Sequence, residues 1–134
     1  MLAELSGQLG YPATSAQIAR RLRRLKPASR HAVFVAESGH SRANRSVVGW
    51  LHVSVDHHLE VETRAEVNGL VVAEAQRSLG AGARLLEAAE EWARKHGCRE
   101  MHVRSNVIRE RAHGFYERNG YGHYKTQKAF RKPL

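Results

Sequence analysis

The stretch QRSLGAGARLL, residues 76–86, decides the fold because a strand pattern ends just before it and a helical pattern begins inside it. The preceding segment AEVNGLVVAE, residues 65–74, is rich in β-forming residues and predicts a strand. From Gly82 onward, one helical face collects the apolar side chains Leu85, Leu86, Ala89, Trp92 and Ala93. Backbone N–H groups at a helix start have no intrahelical partner, and glycines let a ligand approach closely. The residues alone leave two interpretations open, an anion-binding loop or an ordinary helix start with two glycines.

The rest of the chain alternates helical and strand patterns. Helical patterns cover residues 2–9, 15–25 and 109–119. Strand patterns cover residues 31–37, 47–56 and 99–105, with two further candidates at 121–126 and 128–134. Thr14 and Gln17 have capping-box spacing at the start of the second helix, Pro27 is expected to end it, and Gly49 predicts a bend or bulge. The order predicts a mixed α/β fold with helices packed on one layer of sheet.

The length and composition fit a single globular domain. The chain has 134 residues, of which 42% are hydrophobic. No apolar run approaches the ~20 residues that span a bilayer, and the N-terminus lacks the basic head and apolar stretch of a signal peptide. We therefore expect a cytoplasmic protein with no membrane partner. Cys98 is the single cysteine, follows Gly97, and is interpreted as a buried structural thiol.

The formal net charge of +9 favours an anionic partner such as a phosphorylated cofactor. The basic run RRLRRLK at 20–26 falls inside an amphipathic pattern that turns Ile18, Leu22 and Leu25 inward. We interpret this run as the solvated face of a helix and do not expect a nucleic-acid partner. The nine histidines show no metal-ligand spacing, so no metal site is predicted.

A second motif, RERAHGFYERNGY at 109–121, has the spacing AHxFYExxGY. Together with the Arg77-x-x-Gly80-x-Gly82 pattern, it resembles the GNAT superfamily of acetyl-CoA-dependent N-acetyltransferases. The resemblance covers about residues 8–134. Its segments follow the family's order at residues 9–12, 47–53, 67–98 and 112–121. The combination is far more specific than either motif by itself.

The resemblance implies a GNAT fold, which is an α/β (α+β) domain with a mixed central β-sheet and helices on both faces. Residues 1–134 would form one such domain. Members of the family normally begin with a strand before the first helix, whereas this chain starts inside that helix. We therefore expect the first strand to be missing. The sheet edge left exposed would then be available for pairing in a homodimer.

The resemblance also implies a binding site for acetyl-CoA as co-substrate, without a metal. The loop that cradles the pyrophosphate through main-chain N–H groups would comprise Arg77, Ser78, Leu79, Gly80, Ala81, Gly82 and Ala83. The strand segment that hydrogen-bonds the pantetheine arm through its backbone, where it splays from its neighbour near a bulge, would comprise Leu70, Val71 and Val72. Because these contacts are made by the backbone, the side chains at most of these positions carry little information.

Tyr116 matches the tyrosine that serves many family members as the general acid for the departing thiolate of coenzyme A. A donor near the sulfur lowers the barrier because charge develops there, and a phenol remains protonated at neutral pH. The alternative is that Tyr116 is a core aromatic residue beside Phe115. Adjacent residues of a helix point about 100° apart, so one ring can pack while the other faces the cofactor.

Glu66 is the candidate general base, acting directly or through water, because many relatives place an acidic residue on the strand before the cofactor-binding segment. The alternative is an exposed strand glutamate without a catalytic role. Glu60, Glu62 and His52 are rival candidates.

Two departures from the family pattern affect the cofactor site. Many relatives have a proline and an acid, then a glycine where this chain has Ser78, but the two later glycines remain. Many relatives also have an asparagine three residues before the alanine that matches Ala112, where this chain has Arg109. Arg109 and the earlier Asn106 are both candidates for the cofactor contact that this asparagine makes.

The predicted function is transfer of an acetyl group from acetyl-CoA to a primary amine of a small molecule or peptide by direct attack. The layout resembles small-molecule acetyltransferases, including those related to aminoglycoside 6′-acetylation. A cationic drug of that kind calls for an acid-lined site, whereas this chain is basic. The alternative is a non-catalytic module that senses acyl-CoA or binds nucleic acid, against which the presence of Tyr116 argues.

Overall fold

The computed structural model describes residues 1–25 and 30–134. These residues form two compact units, Met1–Val103 and Arg104–Leu134. Pro27, the predicted end of the second helix, lies outside the described residues. No helix within the described ranges is long and apolar enough to cross a membrane.

The first unit opens with two helices, α1 (Leu2–Gln8) and α2 (Ser15–Leu25). The predicted capping box at α2 is confirmed, because the Thr14 N–H donates to Gln17 Oε1 at 2.9 Å and the Gln17 N–H donates to Thr14 Oγ1 at 3.2 Å. The inward positions of α2 are half-buried and its arginines are exposed. The part of the basic run that the structure describes, residues 20–25, therefore lies on a solvated face, as its pattern predicts.

Within the described part of the chain, the sheet has four strands in the order β1-β2-β3-β4. They are β1 (His31–Ser38), β2 (Ser46–Asp56), β3 (Arg64–Val72) and β4 (Met101–Val103). The first two pairings are antiparallel and β3 pairs with β4 in parallel, so the sheet is mixed, as predicted. In the described residues no strand precedes α1, and β1 lies at the edge of the sheet. β3 ends before Ala73, and residues Glu74–Gln76 form a 3₁₀ turn instead of the predicted strand end.

Two β-bulges interrupt the antiparallel pairings. Ala36 lies opposite Gly49 while Glu37 lies opposite Val47, so the extra residue is Val48, which confirms the irregularity predicted at Gly49. In the second bulge His52 lies opposite Gly69 and Val53 opposite Val67. The extra residue there is Asn68 on β3, two residues before the segment Leu70–Val72 near which the resemblance implies a bulge.

Helices cover both faces of the sheet, as predicted. Helix α3 (Ala81–Lys95) packs on the face that carries Gly49, where an added Cβ would lie 3.3 Å from the Leu85 side chain. On the other face the end of α1 brings Leu9 over Gly69, beneath the Trp50 ring. The core between sheet and helices is apolar, and its most buried large side chains are Leu51, Leu86 and Val53. Cys98 is also buried in this core, as expected of a structural thiol.

The second unit contains one helix, α4 (Glu110–Arg118). It ends in a left-handed glycine, Gly120 at φ 90°, and the Tyr121 N–H returns to the Tyr116 carbonyl. The prediction of two final strands is wrong, because residues 121–134 form no regular element. From Gly122 onward every residue is exposed, including Phe130 at 89%, so these residues gain no apolar burial to offset the entropy of ordering a strand.

Candidate active site

The loop that joins β3 to α3 has two residues in the left-handed backbone region, Ser78 at φ 68° and Gly80 at φ 88°. Gly80 is the N-cap of α3, which begins at Ala81, one residue before the predicted start. No side chain among the described residues caps this helix. The Arg84 N–H donates to the Gly80 carbonyl at 3.1 Å, which closes the first turn. The N–H groups of the first turn are therefore available to an anion, and the helix dipole adds positive potential there.

Arg77 braces this loop from the inside. Its Nε donates to the Val72 carbonyl at 3.0 Å, and its guanidinium lies 3.8 Å from the Glu74 carboxylate. The side chain is half-buried, so its charge is partly occupied in holding the start of the loop against the end of β3. A contact between Arg77 and a phosphate remains a prediction from the resemblance.

The second half of β3 presents an open backbone edge. β4 pairs with β3 only at Ala65, Glu66 and Val67. The Ala73 N–H donates to Val48 of β2, and because donors alternate along a strand, the N–H groups of Leu70 and Val72 point to the opposite edge. The divergence of β3 from β4 beyond the Asn68 bulge is the geometry that the resemblance implies for the pantetheine-binding segment.

Glu66 is buried, with 8% of its surface exposed, so it is not the exposed strand glutamate of the alternative interpretation. It lies directly opposite Ser54 on β2 and His102 on β4. The rivals Glu60 and Glu62 are exposed in the loop before β3. His52 is hydrogen-bonded to His31 at 3.0 Å, and burial together with the neighbouring His31 lowers the pKa of His52 below its ordinary value.

In the second unit, Tyr116 packs between two aromatic rings, with its centroid 5.3 Å from Phe115 and 5.8 Å from Tyr121. Burial raises the pKa of the Tyr116 hydroxyl above its ordinary value, and the charge of Arg109 opposes part of that shift. The phenol is therefore protonated at neutral pH. Its ring is only half-buried, so a packing role and a chemical role remain compatible.

Asn106 shapes the turn that leads into α4. Its Oδ1 accepts the Ile108 N–H at 3.2 Å, and its carbonyl accepts the Arg109 N–H at 3.0 Å. His113 Nε2 lies 2.9 Å from the same carbonyl. Arg109 is the exposed N-cap residue of α4. The turn uses Asn106 Oδ1 as an acceptor, and a cofactor contact by Asn106 remains a prediction from the resemblance.

The sequence patterns did not predict a cluster of hydrogen-bonded polar side chains on β2 and β3. Ser54 is buried and bonded to Asp56 and Asn68, on the face that also carries Glu66. The signal lies in WLHVSVD, where His52, Ser54 and Asp56 occupy alternate positions of a buried strand.

The chain belongs to the acetyltransferase (GNAT) family, whose sequence model matches residues 5–121. It is 36% identical over 89 residues to the aminoalkylphosphonate N-acetyltransferase of Salmonella typhimurium, a match that covers 64% of this chain. The chain spans 58% of the length of that curated relative.

Solved structures share the fold. The aminoglycoside 6′-N-acetyltransferase AAC(6′)-Ig of Acinetobacter haemolyticus has a TM-score of 0.80 at 20% identity, over 98% of this chain and 90% of that one. AAC(6′)-Iy in complex with a bisubstrate analogue, CoA-S-monomethyl-acetylneamine, has a TM-score of 0.83 at 18% identity. This match covers 99% of this chain and 90% of that one. At these identities the likeness establishes the fold.

Proposed function

We propose that this protein is an acetyl-CoA-dependent N-acetyltransferase that acts by direct attack of a primary amine on the thioester. The observation that carries the proposal is the loop before α3, where left-handed Ser78 and Gly80 precede a helix start without a side-chain cap. This loop follows the open edge of β3 directly in the chain. The family match spans both compact units and supports residues 1–134 as one acetyltransferase domain.

The cofactor is proposed to bind mainly through the backbone. The pyrophosphate would accept N–H groups from residues 77–83, where the helix dipole favours negative charge. The amide groups of the pantetheine arm would pair with the backbone of the segment Leu70, Val71 and Val72, in which the N–H groups of Leu70 and Val72 point away from β2. Asn106 and Arg109 are proposed as further cofactor contacts. The AAC(6′)-Iy complex supports a coenzyme A ligand for this fold.

Glu66 is proposed as the general base. When the amine nitrogen bonds to the thioester carbon, it must lose a proton, and a carboxylate held on a rigid strand can take it directly or through water. Burial supports this role because a side chain fixed within the sheet loses little orientational freedom when it acts.

Tyr116 is proposed as the general acid. As the carbon–sulfur bond breaks, the sulfur gains charge, and a phenol that donates its proton yields the free thiol of coenzyme A. The raised pKa of Tyr116 supports this role because the hydroxyl carries its proton at working pH. Tyr116 is later reprotonated from solvent, and the acetylated amine leaves as the amide.

The acceptor is proposed to be a small primary amine that carries an anionic group such as a phosphonate. The 36% identical relative supports this class more strongly than the aminoglycoside enzymes, which are 18–20% identical. The net charge of +9 supports it as well, because a basic surface attracts an anionic acceptor and repels a cationic drug.

Release of free thiol from acetyl-CoA tests the acceptor class. We expect faster release with a short aminoalkylphosphonate than with an aminoglycoside, a peptide N-terminal amine, or the matched amino alcohol that lacks the phosphonate. An aminoglycoside preference would contradict the proposed class. Acetyl-CoA binding by calorimetry without turnover of any amine would favour an acyl-CoA sensor instead. A cytoplasmic location and a homodimer stay predictions from the sequence.

A further inference from the structure

Four polar side chains lie in one row across the sheet, on the face opposite to α3. In register they are His31, Ser54, Glu66 and His102, each directly opposite the next. The two central residues are buried, since Ser54 is 4% exposed and Glu66 is 8% exposed. Burying polar groups costs free energy unless they are hydrogen-bonded. The burial of two polar side chains in the middle of a sheet therefore requires specific contacts, and it suggests a role that outweighs the cost.

The Ser54 hydroxyl uses both its donor and its acceptor capacity. Asn68 Nδ2 donates to Ser54 Oγ at 2.8 Å, and Ser54 Oγ donates to Asp56 Oδ1 at 3.1 Å. The direction is fixed at both ends, because an amide nitrogen only donates and a carboxylate oxygen accepts. This chain of two hydrogen bonds ties β3 to β2 through side chains.

Asn68 is the extra residue of the β3 bulge, since Val53 lies opposite Val67 and His52 lies opposite Gly69. Pairing of β3 with β4 stops one residue before Asn68, at Val67. Asn68 therefore lies two residues after Glu66 and two residues before Leu70, between the proposed base and the proposed pantetheine-binding edge. Because a bulge is a local two-against-one mismatch, a side-chain contact at its extra residue can set its geometry.

We propose that Ser54 is a positioning residue for acetyl transfer. Through Asn68 it holds the bulge of β3, and the bulge fixes Glu66 relative to the edge that presents the thioester. Ser54 itself touches neither the amine nor the acetyl group. The inference rests on the proposed function, because it assigns Ser54 to the same reaction.

Two single variants and their double variant test the proposal by steady-state kinetics. Ser54→Ala and Asn68→Ala should each lower kcat by about 10- to 100-fold, because a misplacement of 1 Å can cost that much. The affinity for coenzyme A in calorimetry should fall by less than kcat does, since the pyrophosphate loop is untouched and only the backbone beside the bulge loosens. The double variant should be no slower than the slower single variant, because both remove one hydrogen-bonded unit. Asn68 is exposed, so Asn68→Ala should fold even if Ser54→Ala does not.

Ser46→Ala is the matched control, since Ser46 lies on the same strand and contacts Ser38 through its hydroxyl at 3.3 Å in an exposed pair. It should keep wild-type kcat. Wild-type kcat in Ser54→Ala or Asn68→Ala, or losses that multiply in the double variant, would overturn the proposal.

Amide hydrogen exchange gives a second readout that needs no turnover. Exchange at residues 67–72 should accelerate by at least about tenfold in Ser54→Ala and in Asn68→Ala but not in Ser46→Ala. Unchanged exchange would overturn the positioning role. If the wild-type protein released no thiol with any amine, the proposed function would fail, and this exchange measurement alone would decide whether Ser54 holds the bulge.

Discussion

Among the described residues, Ser78 is the one non-glycine residue with a positive φ, at 68°. The left-handed region costs an L-residue about 1–2 kcal/mol, while glycine loses about 0.5–1 kcal/mol of chain entropy on folding. Ser78→Gly should therefore raise the free energy of unfolding by about 0.5–1 kcal/mol, measured by urea denaturation. Ser46→Gly, the same change within strand β2, should lower it. If Ser78→Gly instead lowered the free energy of unfolding, the serine side chain would stabilise the loop by more than its left-handed backbone costs.

The His31–His52 pair predicts a dependence of stability on pH. The pKa of His52 is lower in the folded protein than in the unfolded chain, so the unfolded chain binds more protons below about pH 6.5. Stability should therefore be full above that pH and fall as the pH drops through the lowered pKa. His52→Gln should flatten this fall in denaturation midpoints between about pH 8 and 5. The exposed His40→Gln is the control and should leave the slope unchanged.

At the scale of elements, α3 approaches β2 closely because residue 49 is a glycine. A Cβ at Gly49 would lie 2.9 Å from the Val71 carbonyl oxygen and 3.3 Å from Leu85. Gly49→Ala should cost about 1–3 kcal/mol of unfolding free energy through this overpacking. Gly7→Ala in α1 meets no atom within 4 Å and should instead be neutral or stabilising by up to about 1 kcal/mol. Equal effects of the two changes in denaturation would contradict the packing argument.

The helices and the central strands could be predicted from sequence because their signals are local. The spacing of Thr14 and Gln17, and the spacing of the apolar residues of α3, each predict a helix without reference to distant parts of the chain. The resemblance implies a bulge near Leu70–Val72, but its place at Asn68 could not be predicted, because it depends on how β2 registers against β3. The two strands predicted within residues 121–134 do not form, for a related reason. Alternating residues form a strand only where a neighbour pairs with them and buries one face, and Phe130 lies exposed.

Part of the candidate site also followed from local patterns. Through their resemblance to the GNAT family, the glycine loop and the AHGFYERNGY motif predict a coenzyme A site from sequence alone. The hydrogen bonds of Ser54 cross between strands, and the hydrogen bond from Arg77 to the Val72 carbonyl closes a loop. The spacing of residues in the sequence does not report such contacts. The burial of Glu66 likewise required the sheet register.

At the scale of the whole molecule, the net charge of +9 predicts a salt effect. A basic protein attracts an anionic acceptor over distances that salt screens, and the Debye length falls from about 10 Å at 0.1 M to about 3 Å at 1 M. The kcat/KM for an aminoalkylphosphonate should fall as salt rises, while that for the matched amino alcohol should change little. Equal salt dependence of the two acceptors would remove the argument from charge.

The central claim is that the chain transfers acetyl groups with Tyr116 as the acid, and amine-dependent thiol release by wild type and Tyr116→Phe tests it most directly. Wild type should release thiol from acetyl-CoA only when an amine is present. Tyr116→Phe should lower kcat by about 10²- to 10⁴-fold with coenzyme A affinity nearly intact, while the exposed Tyr11→Phe keeps full activity. Thiol release by Tyr116→Phe at the wild-type rate, or binding of acetyl-CoA without release for any amine, would contradict the account.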